Sequence, residues 1–217
     1  MLGASSFFRE PAMTRTTDLL IVGPAVTAQA LALALTPDFL DTRWTTTGAQ
    51  ALEVVSGSSL VLVFPRLPDM AALLLIERLH KRHRCRTVFL PQQPTAVAAR
   101  VAAAFGATAA SSNACGLPAL QRTLAATLEG RSVFFGQPGE RIGGRIRRRV
   151  RLTNRQLEVL ALLAGARLHK VASANLRISE GTFREHLDVL RDKLEVPTND
   201  HLVPRALELG LLPADPT

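Results

Sequence analysis

Hydrophobic residues in the first part of the chain come in short unbroken runs. Leu19-Leu-Ile-Val22, Leu60-Val-Leu-Val-Phe64 and Thr87-Val-Phe-Leu90 are the clearest, with weaker runs at Leu40–Trp44 and Ala107–Ala110. Four or five apolar residues without alternation describe a strand covered on both faces, as in a parallel sheet. Between the runs the spacing is helical. It predicts helices over Ala25–Leu35, Gly48–Val55, Asp69–His83, Thr95–Phe105 and Pro118–Leu128, with Gly106 as the stop of the fourth. Strand and helix in regular alternation imply an α/β unit whose five-stranded parallel sheet carries helices on both faces.

Residues 129–150 break this rhythm. Gly130, Gly136, Pro138, Gly139, Gly143 and Gly144 interrupt any regular element, and Arg141, Arg145, Arg147, Arg148, Arg149 and Arg151 form a basic run with no acid among them. From Leu152 onward the period is helical throughout. Thr153 and Gln156 have the spacing of a capping box, and Leu152 with Leu157 that of a hydrophobic staple. A first helix runs to Gly165, and a short one covers about Leu168–Asn175. A long one follows Ser179, and a last one opens near Thr198 or Asn199 and stops at Gly210. Pro204 falls inside that last helix. Either the helix kinks there or it begins later, because an interior proline removes a backbone bond.

The long helix concentrates the functional signal. Ser179 is an N-cap and Glu180 complements the helix dipole. Phe183, Leu187, Leu190 and Leu194 form one buried stripe, and Arg184, Glu185, Asp188, Arg191 and Asp192 lie on the other side. A tight turn feeding a helix with one apolar and one polar face is the shape a helix-turn-helix offers to the major groove.

Composition sharpens this picture. The chain has 217 residues, 47% hydrophobic and 20% charged, with a net charge of +8. These values fit folded domains, and the charge favours a polyanionic partner. Cys85 and Cys115 stand far apart without histidines at ligand spacing, so neither a disulfide framework nor a zinc site is expected, and the compartment reads as a reducing cytoplasm. No run reaches membrane-spanning length. Residues 1–17 read as an N-terminal extension, with Met13 as a second candidate start. The expected division is therefore 1–17 extension, 18–129 α/β domain, 130–150 Gly/Arg-rich linker and 151–217 four-helix domain.

The residues Leu152-Thr…Gln156-Leu-Glu-Val-Leu160…Ile178-Ser-Glu-Gly-Thr182…His186-Leu…Lys193-Leu resemble the LuxR-type helix-turn-helix domain. With the preceding α/β unit and linker, residues 18–212 are similar to response regulators of the NarL/FixJ class. The resemblance implies a flavodoxin-like receiver sheet, a DNA-binding output domain, double-stranded DNA as partner, a homodimer and a role in transcription. It places DNA contacts on Arg184, Glu185 and Asp188, with Thr182 and Lys193 nearer the backbone. The basic residues Lys170, Arg147, Arg148 and Arg149 are added for phosphate affinity. The last helix is where relatives often make their dimer contact.

The family's phosphoryl chemistry maps onto residues that cannot perform it. Gly23 and Pro24 stand at the acidic pair, Phe64 at the phosphoacceptor, Pro91 at the hydroxyl and Asn113 at or near the lysine. Magnesium takes hard oxygen ligands, which glycine, proline and phenylalanine side chains lack. An atypical receiver follows, with Phe64 filling the emptied acidic pocket. The sequence offers no catalytic constellation, metal cluster or glycine-rich phosphate loop, so no enzyme, metal or cofactor is expected. Two alternatives stay open: a protein–protein adaptor that uses the helical module for docking, and a small-molecule ligand at the receiver.

Overall fold

The computed structural model describes residues 17–57, 59–135, 137–138, 150–165 and 169–214, with 137–138 and 169–170 as backbone. One sheet orders its strands β2-β1-β3-β4-β5-β6-β7. The expected five are β1 (Leu19–Val22), β2 (Thr42–Thr45), β3 (Leu60–Val63), β4 (Arg86–Phe89) and β5 (Ala109–Ala110), all parallel. The helices between them are α1 (Ala25–Leu35), α2 (Gly48–Val54), α3 (Ala72–Arg78), α4 (Ala96–Ala104) and α5 (Leu117–Leu128).

The pleat explains why the central runs are apolar throughout. Leu19, Ile21, Leu60 and Leu62 face α1 and α5, packing with Ala28, Leu35, Leu120 and Leu124. Leu20, Val22, Val61 and Val63 face the opposite layer, with Ala51 of α2, Leu73 and Ile76 of α3 and Val97 of α4. β1 and β3 therefore lose both faces to a helical layer, and an alternating pattern there would put polar groups into one core.

Three details differ from the sequence pattern. First, the sheet continues past the expected five strands, with β6 (Val133–Phe134) parallel to β5 and β7 (Gln137–Pro138) antiparallel to β6. Two residues are too few to display a period, so these strands are silent in the sequence. Second, α3 is shorter than Asp69–His83. Asp69 accepts from the Gly48 and Ala49 N–H groups at 2.9 and 2.8 Å, so it caps α2 across the fold. After Arg78 the chain widens into a π-helical turn, Leu79–His83, closed by Arg84 at φ 52°. Third, β2 covers Thr42–Thr45, and Leu40 is exposed ahead of it. At a sheet edge burial constrains the strand least.

The helical part comprises α6 (Asn154–Gly165), α7 (His169–Asn175), α8 (Glu180–Leu194) and α9 (Leu202–Glu208). The capping box forms: the Gln156 N–H donates to Thr153 Oγ1 at 3.2 Å, and the Thr153 N–H donates to Gln156 Oε1 at 3.0 Å. A 3₁₀ turn at Asn199–His201 precedes α9, which starts later than the sequence suggested. Pro204 is thus the third α9 residue, in a first turn whose N–H groups lack intrahelical partners anyway.

The helical part sits on the sheet part through shared core. Leu209, Leu211 and Leu212 belong to the same buried cluster as Val63, Leu67 and Leu73. The Leu73 N–H donates to the Gly210 carbonyl at 3.0 Å, and the Ala214 N–H to the Leu67 carbonyl at 2.7 Å. Arg205 donates to Thr95 Oγ1 at 3.2 Å, and Arg100 of α4 pairs with Glu195 at the end of α8. Gly210, at φ 68°, fits where an added Cβ would come within 3.0 Å of both Ala72 Cβ and the Pro65 carbonyl oxygen. No helix among the described residues is long and apolar enough to cross a membrane.

Candidate nucleic-acid interface

α8 is built as its sequence requires. Ser179 Oγ accepts from the Thr182 N–H at 3.0 Å, Glu180 occupies the first turn, and Glu195 closes the helix in the left-handed region at φ 54°. Phe183, Leu187, Leu190 and Leu194 are fully buried. At about 25 cal/mol per Å², burying such side chains is worth roughly 1.5–3 kcal/mol each, far more than the cap. The stripe therefore fixes which face points outward.

That outward face carries Arg184, Glu185, Asp188 and Asp192, all exposed, and the Arg184 side chain is 70% accessible. Thr182 is half-buried, its hydroxyl 3.0 Å from that of Ser179. Arg184 does not pair with Asp188 four residues on. Helical side chains lean toward the amino terminus. Arg184 instead reaches Glu180 at 3.7 Å, and Arg191 reaches Asp188 at 2.5 Å. Both pairs are solvent-exposed and worth a few tenths of a kcal/mol. Among the described residues Glu185 and Asp192 have no ion-pair partner.

Lys193 occupies a different setting. Its Nζ donates to the Arg151 carbonyl at 2.7 Å and to Gln156 Oε1 at 2.9 Å, and burial holds the ammonium below the ordinary lysine range. It ties the end of α8 to the chain entering α6, so its amine is largely committed to the fold. Arg155 is similarly engaged, with Glu158 at 2.8 Å and the Leu176 carbonyl at 2.6 Å. Arg147, Arg148 and Arg149 lie outside the described residues, and Lys170 is described as α7 backbone only.

The second cluster lies at the carboxyl ends of the strands. Val22 and Val63 are register partners, so Gly23 and Phe64 stand side by side as β1 and β3 end. Phe64 is 4% exposed, and its ring covers Gly23 so closely that an added Cβ there would lie 2.4 Å from Cδ2. Glycine is thus needed at 23 for close approach. Pro24 is exposed, and Pro91 is buried after β4. The Asn113 N–H donates to the Pro91 carbonyl at 3.4 Å, while Asn113 itself is exposed. Ser111 and Ser112, absent from the sequence expectations, are buried beside Asn113, and Ser112 donates to the Gln92 carbonyl at 3.2 Å. A serine pair ending an apolar strand was the available signal. The long-range cap from Asp69 had none, since it spans 21 residues.

No protein-family model matches the chain. It is 31% identical over 186 residues to the transcriptional activator protein ExaE of Pseudomonas putida, covering 80% of this chain and 86% of that protein. Its fold is similar to RcsB from Salmonella enterica serovar Typhimurium bound to a promoter. That match has a TM-score of 0.54 and 15% identity, and covers 87% of this chain and 97% of that one. A second RcsB–DNA complex of a two-component response regulator gives a TM-score of 0.54 at 16% identity, over 87% and 96% of the chains.

Proposed function

The chain belongs to the NarL/FixJ class of response-regulator transcription factors, and from that premise we propose that it is a homodimeric, cytoplasmic DNA-binding regulator whose control does not pass through aspartyl phosphorylation. The observation that supports DNA reading is α8. It is a capped helix, locked by four fully buried residues, with Arg184, Glu185 and Asp188 turned outward. Arg184 is the base reader, since a guanidinium can donate twice to one guanine edge. A carboxylate on the same face can accept from cytosine N4. The arginines of residues 141–151 supply sequence-independent affinity through phosphates. Within the proposed division, 18–129 is the receiver, 130–150 the linker, whose first residues add β6 and β7 to the sheet, and 151–217 the output domain.

Selection of bound genomic fragments by the purified full chain tests the reading. The expected result is salt-sensitive binding to a defined site with two half-sites about one helical turn apart. Arg184→Ala should weaken it by about 1–3 kcal/mol and relax preference at one base position. Unchanged affinity and preference after that substitution would remove α8 as the reader.

Phosphorylation-independence is supported by Phe64, whose ring fills the space above Gly23 and offers no acceptor oxygen. Incubation with a small phosphodonor and magnesium should leave DNA affinity unchanged, and a donor-dependent gain would refute this part.

A second reading is a protein–protein adaptor. Glu185, Asp188 and Asp192 favour it, because three acids on the outward face repel phosphates. It requires that the full chain bind no duplex at low salt while forming a stable complex with another regulator.

A further inference from the structure

The turn between α3 and β4 carries a dense positive charge outside α8. His80-Lys-Arg-His-Arg-Cys-Arg86 holds four permanent cations and no acid in seven residues. The fold displays rather than neutralises them. Leu79 and Cys85 are buried at the two ends of the turn, and the N–H groups of Arg84 and Cys85 both donate to the Leu79 carbonyl. The Cys85 thiol donates to the Ser56 carbonyl at 3.3 Å. With both ends pinned, the widened π turn pushes the residues between them outward. Lys81, Arg82, Arg84 and Arg86 are all exposed.

Their partners differ. Lys81 pairs with Glu77 at 2.5 Å, and Arg86 donates to the Leu128 carbonyl at the end of α5 at 2.9 Å. Among the described residues Arg82 and Arg84 have neither an ion pair nor a hydrogen-bond partner on their side chains. Arg84 holds the left-handed conformation at φ 52°, which is unfavourable for a non-glycine residue. The molecule thus places a charged residue at a position where glycine would be easier.

We propose that this turn is a second contact for duplex DNA, reading phosphates without regard to sequence. The chemistry favours a phosphate backbone over a protein face. Arginine hot spots in protein interfaces sit among Trp and Tyr anchors in desolvated pockets, and none of the exposed large hydrophobic residues lies in this turn. Point charges on a convex turn fit sequence-independent neutralisation. The need is also visible in α8, whose face carries Glu185, Asp188 and Asp192 and contributes little attraction of its own. The turn precedes β4, at the amino-terminal edge of the sheet, whereas the helical part docks beyond β3 at the carboxyl-terminal edge. The turn and the outward face of α8 are thus separate basic and acidic-flanked surfaces of one chain. The proposal rests on the DNA-binding reading.

The test is salt dependence of binding by the full chain to a long duplex of unrelated sequence. Arg82→Gln combined with Arg84→Asn removes both unpaired cations, and asparagine tolerates the left-handed backbone. The slope of log affinity against log salt should become shallower by about 1.8, from about 0.9 per phosphate released, with thermal stability unchanged. Should that variant lose stability, Arg82→Gln alone should make the slope shallower by about 0.9. An unchanged slope overturns the proposal while leaving α8 as reader intact. So does a variant that loses only its affinity for anionic lipid vesicles. If the wild-type chain binds no duplex at low salt, both readings fall together.

Discussion

Gly23 and Phe64 act as one unit. Phe64 could not settle at the end of β3 if residue 23 carried a side chain. Gly23→Ala should cost about 1–3 kcal/mol, the usual penalty of overpacking, and urea unfolding measures it. Once Phe64→Ala has emptied the space, the same Gly23→Ala change should cost far less, because neighbouring substitutions couple. Equal costs in both backgrounds would show that the ring is not what holds the glycine. The burial of Phe64 was legible from the sequence, since it closes the apolar run of β3. The reciprocal demand on Gly23 was not, because it depends on the 2.4 Å approach of a ring.

At the scale of elements, α9 resolves a conflict that the sequence posed. An interior proline would cost about 3 kcal/mol, yet Pro204 stands third in the helix, after a 3₁₀ turn. Pro204→Ala should therefore shift stability by less than about 1 kcal/mol. A gain near 3 kcal/mol would mean that the proline breaks a helix bond after all. The elements most legible in the sequence are those where burial dictates a period. β1 and β3 are apolar at every position, and α8 has its stripe at Phe183, Leu187, Leu190 and Leu194. Legibility fails where length or geometry decides instead: β6 and β7 are too short to show a pattern, and the π turn after α3 looks like more helix. At the candidate interface the spacing identified the outward face of α8. It could not foresee that Arg184 meets Glu180, or that the Lys193 amine is taken up by Arg151 and Gln156.

At the scale of the whole molecule, the contact between the two parts is apolar at its centre and polar at its rim. Arg100–Glu195 and Arg205–Thr95 lie at that rim. Glu195 is more than half exposed, so its pair with Arg100 contributes little, and Leu209, Leu211 and Leu212 supply most of the attachment. Gly210 is the sensitive position within it. Alanine there would have to hold a positive φ and press within 3.0 Å of the Pro65 carbonyl. Gly210→Ala should lower stability by about 1–3 kcal/mol. It should act on the junction before either core, which differential labelling of the Leu73 and Ala214 amides by hydrogen exchange would detect. Protection retained at both amides would place the strain elsewhere.

The cluster running from Val63 through Leu73 to Leu212 has a calorimetric consequence. Two domains joined only by a tether melt independently, each with the enthalpy of its own size. Here the last apolar residues of the helical part complete the core of the sheet part, so removing them exposes both. Heating should give one endotherm whose van't Hoff and calorimetric enthalpies agree. Truncation after Glu208 should then lower the melting temperature of the sheet part, whose core residues Val63 and Leu73 lie more than a hundred residues upstream of the cut.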